Sequence, residues 1–454
     1  MISESSATIT DEKPTRSRIA LYPWIIVALG AVFYCYEYFL RISPSVMYPS
    51  LVRAYHLQAA SFGNLSAFYY YAYTPMQFFV GVLMDRYGPR QLLTFAAFAC
   101  ALGAYLFATS HILVVAEIGR FLIGFGSAFA FVGALKLATI WLPPERFGFV
   151  SGSILMLGML GAMAGDISLT VLVQSEGWRM TTFISAGIGI VLVVSIWLTI
   201  RDENPDNREQ RAAKSTATFK LLFAGLFKAI RNPQMWIIGA IGCFTYLPLS
   251  AFAELWGVPF LEQAHHISPD KASIVNGMVF LGWAVGGPLV GFLSDFIQRR
   301  RLPILIGSIL SAVFIAIVLF VPGLSPVLIG TLFFFFGLFN SVQVLSFALA
   351  HEVNDHRIAG TVIALTNMFV MIGGVFFQPL IGMLLDDAWS GHMAHGAKVF
   401  TNGNYQMALV ILPISLLLSA VLAFFLKETY CKHTSDCKID EEHDACSKVN
   451  SITH

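Results

Sequence analysis

Charged side chains make up only 12% of this 454-residue chain, and six that stand out inside long apolar runs are Glu37, Arg41, Glu117, Arg120, Lys136 and Glu254. A charge within hydrocarbon costs at least ~2.5 kcal/mol near the centre of a span, so each is a candidate site residue facing the interior of a helical bundle. Glu37 and Arg41 are four apart, which puts them on one helix face where they can pair. A solute carboxylate would compete with Glu37 for Arg41, whose planar fork holds carboxylates bidentately, and the released Glu37 would take up a proton. One residue pair would then couple proton and solute. The competing structural reading is an ion lock near the outer end of the helix, since Ser43, Pro44 and Ser45 can mark the membrane interface. Glu117 and Arg120, three apart, divide in the same way between proton coupling and structure. Lys136 reads as a snorkelling side chain near a helix end. Glu254, two residues before Trp256, is either a contact for a solute amine or an outer-end carboxylate.

Aromatic residues crowd the same segments: Tyr34, Tyr36 and Tyr38, then Tyr69, Tyr70, Tyr71 and Tyr73, then Tyr246 and Trp256. Neighbouring tyrosines on a helix cannot all face one cavity, and some must serve packing or an interfacial belt. Tyr38, Tyr70 and Trp256 are the expected solute contacts. Asn340, Gln343, Asn367 and Gln378 suit either cavity lining or interhelical bonds. His265, His266, His351 and His356 fall in loops, and no clustered nucleophile, metal-ligand spacing or phosphate-binding loop is evident. Cys431, Cys437 and Cys446 in the polar tail, near His433 and His443, lack the paired short spacing of zinc sites. No cofactor or metal is expected, and a net charge of +1 gives no ground for a nucleic-acid partner.

The elements that must position these residues are long and apolar. Hydrophobic residues make up 56% of the chain and fall in blocks of about 20, the length that crosses the hydrocarbon core. Apolar runs between charged or Pro/Gly-rich breaks predict helices near 22–49, 61–84, 91–109, 112–139, 147–174 and 180–200. A second six follow near 234–260, 272–297, 303–321, 326–350, 358–385 and 405–426. Kinks are expected at Pro44, Pro75, Pro248 and Pro379. With both termini cytoplasmic, 21 of the 28 Lys and Arg residues lie in inner segments, against Arg53, Arg179, Lys271 and Lys398 in outer ones. The organisation that follows is an N-terminal tail 1–20, six helices within 21–200, a cytoplasmic linker 201–232, six helices within 233–427 and a disordered tail 428–454. No cleavable signal is expected before the first helix.

One internal repeat stands out. Gly81, Asp85, Arg86, Gly88 and Arg90 follow the second predicted helix, and Gly291, Asp295, Arg299, Arg300 and Arg301 follow the eighth. Both run Gly, Asp at +4 and Arg at +9, at equivalent places in two halves, as a duplicated six-helix unit requires. The first copy resembles the loop signature of the major facilitator superfamily, with Pro89 in place of one basic residue. In the second copy Phe296 and Gln298 stand where the first has Arg86 and Gly88, so only Asp295 and the arginine run carry over. Gly81 is expected to let two helices approach closely, while Asp85 and the arginines latch helix ends in one access state. Arg120 with Gly124 is similar to the intramembrane Arg and Gly of that superfamily. Gly152, Gly158, Gly161 and Gly165 resemble its glycine-rich fifth helix, without the usual Gly-Pro pair. The resemblance covers about residues 20–430 and implies an all-α integral membrane fold, twelve transmembrane helices in two six-helix pseudo-repeats.

Two branches of the superfamily compete. Tyr38 and Arg41 resemble the first helix of its organic-anion symporters, with Leu40 where an acid usually stands. Glu37 with Glu117 and Arg120 resembles the lysosomal dipeptide-transporting branch and its bacterial relatives. The expected function is secondary active transport of a small carboxylate-bearing solute, an organic anion, amino acid or short peptide, coupled to protons, by a monomer in the plasma (inner) membrane. A facilitative uniporter of zwitterions such as dipeptides is the near alternative. A transport-like membrane sensor is the alternative of another class, and an enzyme is not expected.

Overall fold

In lipid a backbone has no water to bond, so long apolar stretches must coil and satisfy their own N–H and C=O groups. The computed structural model describes residues 21–202, 219–355, 358–394 and 397–431, and it is almost wholly helical. The first half holds α1 (Tyr22–Tyr55), α2 (Ala59–Tyr87), α3 (Pro89–Thr109), α4 (Leu113–Trp141) and α5 (Phe147–Thr199). After α6 (Phe219–Ile230) come α7 (Pro233–Ala264), α8 (Pro269–Phe296), α9 (Arg301–Phe320), α10 (Pro326–Glu352), α11 (Ala359–Asp387) and α12 (Asn402–Ala423). A two-stranded hairpin, β1 (Met393–Ala394) with β2 (Ala397–Lys398), joins α11 to α12.

Among the described residues, 10 helices are long and apolar enough to cross a membrane. One of them, α5, has 53 residues and breaks at Gly177, where φ is 80° and ψ is 159°. Side chains with a Cβ rarely adopt that conformation, so a glycine makes the corner between two rods. The 29-residue α2 is a further rod, and its tyrosines, Asn64 and Gln77 hold its hydropathy below that of its neighbours. The resulting arrangement is consistent with the twelve spans predicted. Helix ends move by a few residues. The largest change is in α1, which continues six residues past the predicted end and carries Pro44 and Pro49 inside it.

The two halves meet where α2 lies along α11 and where α5 lies along α8. The segment expected to be a polar linker contains α6, which touches both halves. The Phe223 ring lies 5.7 Å from that of Phe78 of α2, tilted by 56°, and Gly225 lies against Ile358 and Thr361. The rest of that linker, residues 1–20 and the tail with Cys437, Cys446, His433 and His443 lie outside the described residues, as does His356. Both described ends of the chain sit at the end of the bundle that carries Asp85 and Asp295. Tyr22 at the start of α1 bonds Thr199 O at 2.8 Å, and Glu428 beyond α12 accepts from the backbone N–H groups of Arg300 and Arg301. We call this the terminal end and the opposite one the distal end.

Candidate functional site

Arg41 sits at the centre of the bundle, 2% exposed, and its guanidinium gathers partners from three helices. Its own helix supplies Glu37, which accepts from Nε at 2.9 Å and also from Nη2. From α2 comes Tyr69, whose hydroxyl accepts from Nε at 3.0 Å and donates to the same Glu37 oxygen. Across the midline, Tyr246 of α7 accepts from Nη1 at 3.1 Å, and Glu254 Oε1 lies 3.5 Å from that nitrogen. Tyr246 in turn donates to Glu254 Oε1 at 3.3 Å, and Tyr70 donates to its other oxygen. The ring of Tyr38 lies 4.3 Å from the guanidinium carbon, with Tyr69 and Tyr73 each at 5.1 Å, so the cation is boxed by aromatic faces. Glu37 Oε2 has no protein partner.

The tyrosine crowd on α2 therefore sorts by helical spacing. Tyr69, Tyr70 and Tyr73 share the inward face, while Tyr71 bonds Asn64 at 2.8 Å away from the cluster. Glu254 reaches the midline from Pro248–Trp256, nine residues of π-helix within α7, a widened turn of the kind often found at functional sites. The Pro248 that opens this turn cannot bond the carbonyl four residues back, and Ser415 of α12 donates to that carbonyl, Phe244 O, at 3.3 Å. Tyr70 lies flat on Gly374 of α11, where an added Cβ would come within 2.6 Å of its ring.

Arg120 is 1% exposed, yet among the described residues it pairs with no carboxylate. Pro44 leaves the carbonyl of Leu40, four residues earlier, without its helical donor. Ser43 Oγ, at 2.9 Å, and Arg120 share that gap, Arg120 donating to Leu40 O at 2.8 Å and to Arg41 O at 3.2 Å. It thus holds in place the helical turn that carries Arg41. The pair Glu37 and Arg41 lies in mid-helix, since α1 runs on to Tyr55, and Pro44 marks no interface. Glu254 likewise is central, not an outer-end carboxylate. Glu117 is not brought to the cluster: it is half-buried, and its partner is Asn64 Nδ2 at 3.4 Å.

Trp256 stands apart from the cluster, toward the distal end. Its ring meets Tyr48 of α1 at 5.9 Å and Phe62 of α2 at 5.4 Å, and its Nε1 donates to Gln378 O of α11 at 3.2 Å. Tyr48 lies seven residues beyond Arg41, about 10 Å along the helix. The indole is thus a plug between the two halves, where a solute contact was expected. The bonds beyond it seal the same end: Asp386 accepts from Ala60 N at 2.8 Å, joining α11 to α2. Thr170 and Ser273 join α5 to α8 through their hydroxyls at 2.5 Å.

At the terminal end the repeated loops form two separate latches. Asp85 pairs with Lys136 of α4 at 2.7 Å, so Lys136 is a partner and not a snorkelling end. Arg300 pairs with Asp295 of its own loop and with Glu352 at the end of α10, both at 2.7 Å. Each latch ties the loop to the second rod beyond it, with the charge on that rod reversed between halves. Arg86 lies over the Tyr87 ring, and Arg90 bonds Trp197 O at 3.0 Å, so neither reaches Asp85. The close approach expected at Gly81 is absent, for a Cβ there, or at Gly291, would meet nothing within 4 Å. The tight glycine is Gly88, with φ at 81°, beside Asp202, whose carboxylate accepts from Arg90 N at 2.8 Å and so binds the first turn of α3.

A profile of the family described as Major Facilitator Superfamily matches residues 27–376 and, again, 250–436. The chain belongs to the Major Facilitator Superfamily. It is therefore a multi-pass membrane protein of a transporter family. Relatives within the superfamily include a probable galactarate/D-glucarate transporter of Escherichia coli K12, 25% identical over 94% of this chain and 96% of the relative. A probable sulfoacetate transporter of Cupriavidus necator is 22% identical over 93% of this chain and 97% of its own. A lysosomal dipeptide transporter of Danio rerio is 24% identical over 79% and 80%. Among solved structures, a bacterial homolog of the human lysosomal transporter Spinster, inward-facing and unoccupied, superposes with a TM-score of 0.72 at 16% identity, covering 89% of this chain and 97% of that one. At that identity the likeness is one of fold.

Sequence reasoning missed Asp166, a buried acid on α5 that the apolar run 147–174 conceals, and gave no weight to its partner Asn276 on α8. An acid inside a predicted span was the available signal. It also did not single out Tyr69 among its neighbours, because choosing it needs the rotation of α2.

Proposed function

We propose that this chain is a proton-coupled secondary transporter of a small carboxylate-bearing solute, with Arg41 as the group that binds the carboxylate. The observation that carries the reading is that buried Arg41 is shared by carboxylates from both halves, Glu37 and Glu254. A solute carboxylate that takes either place displaces an acid into a dry interior, where an unpaired charge is costly. A proton arriving with the solute removes that cost, so proton and solute bind together. Because the displaced Glu254 belongs to the opposite half, solute binding also loosens a bond across which the halves must move. Galactarate, D-glucarate, sulfoacetate and dipeptides, named for the relatives, all carry a carboxylate. Tyr38, Tyr70 and Tyr246 would line the bound solute, and Arg120 keeps the Arg41 turn in register. The charge bias of the loops supports a cytoplasmic placement of both termini, and our reading makes the chain a monomer of the plasma (inner) membrane.

The test is flux in proteoliposomes under an imposed pH gradient, with counterflow against a panel of sugar diacids, sulfoacetate and dipeptides. Uphill uptake of a panel member, abolished by a protonophore, is the expected result. Exchange without uphill uptake would establish a uniporter instead. If nothing moves and solutes only alter protease sensitivity of the linker 201–232, the sensor reading replaces this one.

A further inference from the structure

Asp166 lies on α5 in the seam between the two halves and is fully buried. Its Oδ2 accepts from Asn276 Nδ2 of α8 at 2.6 Å, while its Oδ1 has no protein partner. The same Asn276 nitrogen donates to Ala253 O at 2.8 Å, on the π-helical turn of α7 and one residue before Glu254. One helical turn further toward the distal end, Thr170 meets Ser273 across the same seam. Among the described residues Asp166 makes no ion pair. The side chains that face this part of α5 are Ile42, Phe39 and Cys35 from α1, Asn276 and Ser273 from α8, and Glu254 beyond Ala253 from α7. Cys35 and Glu254 are the titratable ones, and neither is a cation.

We propose that Asp166 is a second proton-binding site, neutral while the α5–α8 seam is closed. An isolated carboxylate cannot be kept in such a place without a positive partner. A proton is favoured over a metal cation because Asn276 turns its amide nitrogen, not its oxygen, toward the carboxylate. Sliding of α5 along α8 brings water to Asp166. The O–H bond then breaks, the proton passes to water on the open side, and the carboxylate remains hydrated until the seam closes on a new proton. Through Asn276 and Ala253 this event reaches the turn that holds Glu254 against Arg41. The role in transport rests on the proposed proton coupling at Glu37, but the protonation state of Asp166 does not.

Infrared spectra of the purified full-length protein at neutral pH, with no solute, decide the point. The expected result is a carboxylic-acid carbonyl band that Asp166→Asn removes, that Glu37→Gln leaves in place and that Asn276→Ala shifts. The last variant serves if Asp166→Asn does not fold. Absence of a band assigned to Asp166 overturns the proposal. Thermal stabilisation by sodium chloride over choline chloride that is lost in Asp166→Asn also overturns it, in favour of a bound metal cation. With D-glucarate as flux probe, the ratio of protons to solute is expected to fall by one in Asp166→Asn, and an unchanged ratio overturns the transport role. If D-glucarate is not moved at all, the substrate reading fails while the infrared result still stands.

Discussion

Arg41 of α1 and Glu254 of the α7 π-turn meet across the midline of the molecule, Nη1 to Oε1 at 3.5 Å, although 213 residues separate them in sequence. The same guanidinium holds Glu37 on its own helix, so a single cation is both a link between the halves and the contested partner of two acids.

Arg41→Lys keeps the charge and loses the planar fork that bonds Glu37, Tyr69 and Tyr246 at once. A hydrogen bond to a charged group contributes about 1.5–3 kcal/mol, so half-saturation by an anionic solute is expected to weaken roughly 10- to 100-fold. Counterflow of D-glucarate in proteoliposomes measures this, and unaltered affinity rejects the role given to Arg41.

Glu37→Gln retains the side chain's shape and its contact with Tyr69 but cannot exchange a proton. Uphill accumulation driven by a pH gradient is expected to vanish while solute exchange continues. Undiminished pH-driven uptake would remove Glu37 from the coupling mechanism.

Arg120 donates to two carbonyls of α1 beside Pro44, and Arg120→Ala removes both of these bonds in a buried place, leaving Leu40 O with the Ser43 hydroxyl at 2.9 Å. A hydrogen bond from a charged donor contributes about 1.5–3 kcal/mol, so the thermal unfolding midpoint in detergent should drop, with partial recovery in Arg120→Lys. The proton-to-solute ratio of whatever transport remains should not change. A changed ratio with a normal midpoint would mark Arg120 as a proton-coupling residue instead.

The two loop latches differ in exposure: Lys136 and Asp85 side chains are 35% and 29% exposed, those of Arg300 and Glu352 only 9% and 10%. Water screens the first pair, and Lys136→Ala is expected to cost about 1 kcal/mol or less. Breaking the second removes the bonds of Arg300 Nε and Nη2 to the largely buried Glu352, each worth about 1.5–3 kcal/mol, so Arg300→Ala should cost more than Lys136→Ala. Melting of the two variants side by side tests the order, and equal losses would show that the latches are equivalent.

Much of this protein is written locally. Blocks of about 20 apolar residues specify spans because a lipid-exposed backbone has no other way to bond itself, and the repeated Gly, Asp and Arg loops reveal the duplication. The acids and bases inside spans, Glu37, Arg41, Arg120 and Glu254, are legible because hydrocarbon tolerates a charge only at a cost. Even the pairing of Glu37 with Arg41 follows from a spacing of four. Which half each of these residues faces does not follow, because it depends on helix rotation and on packing between rods far apart in sequence. Only the tertiary structure sets Glu254 against Arg41, turns Arg120 to backbone carbonyls and puts Trp256 in the distal plug. Only there, too, does Lys136 acquire Asp85 and Asp166 acquire Asn276. Sequence spacing fixes neighbours within a helix, whereas a partner on another helix is decided by how the rods fill one volume.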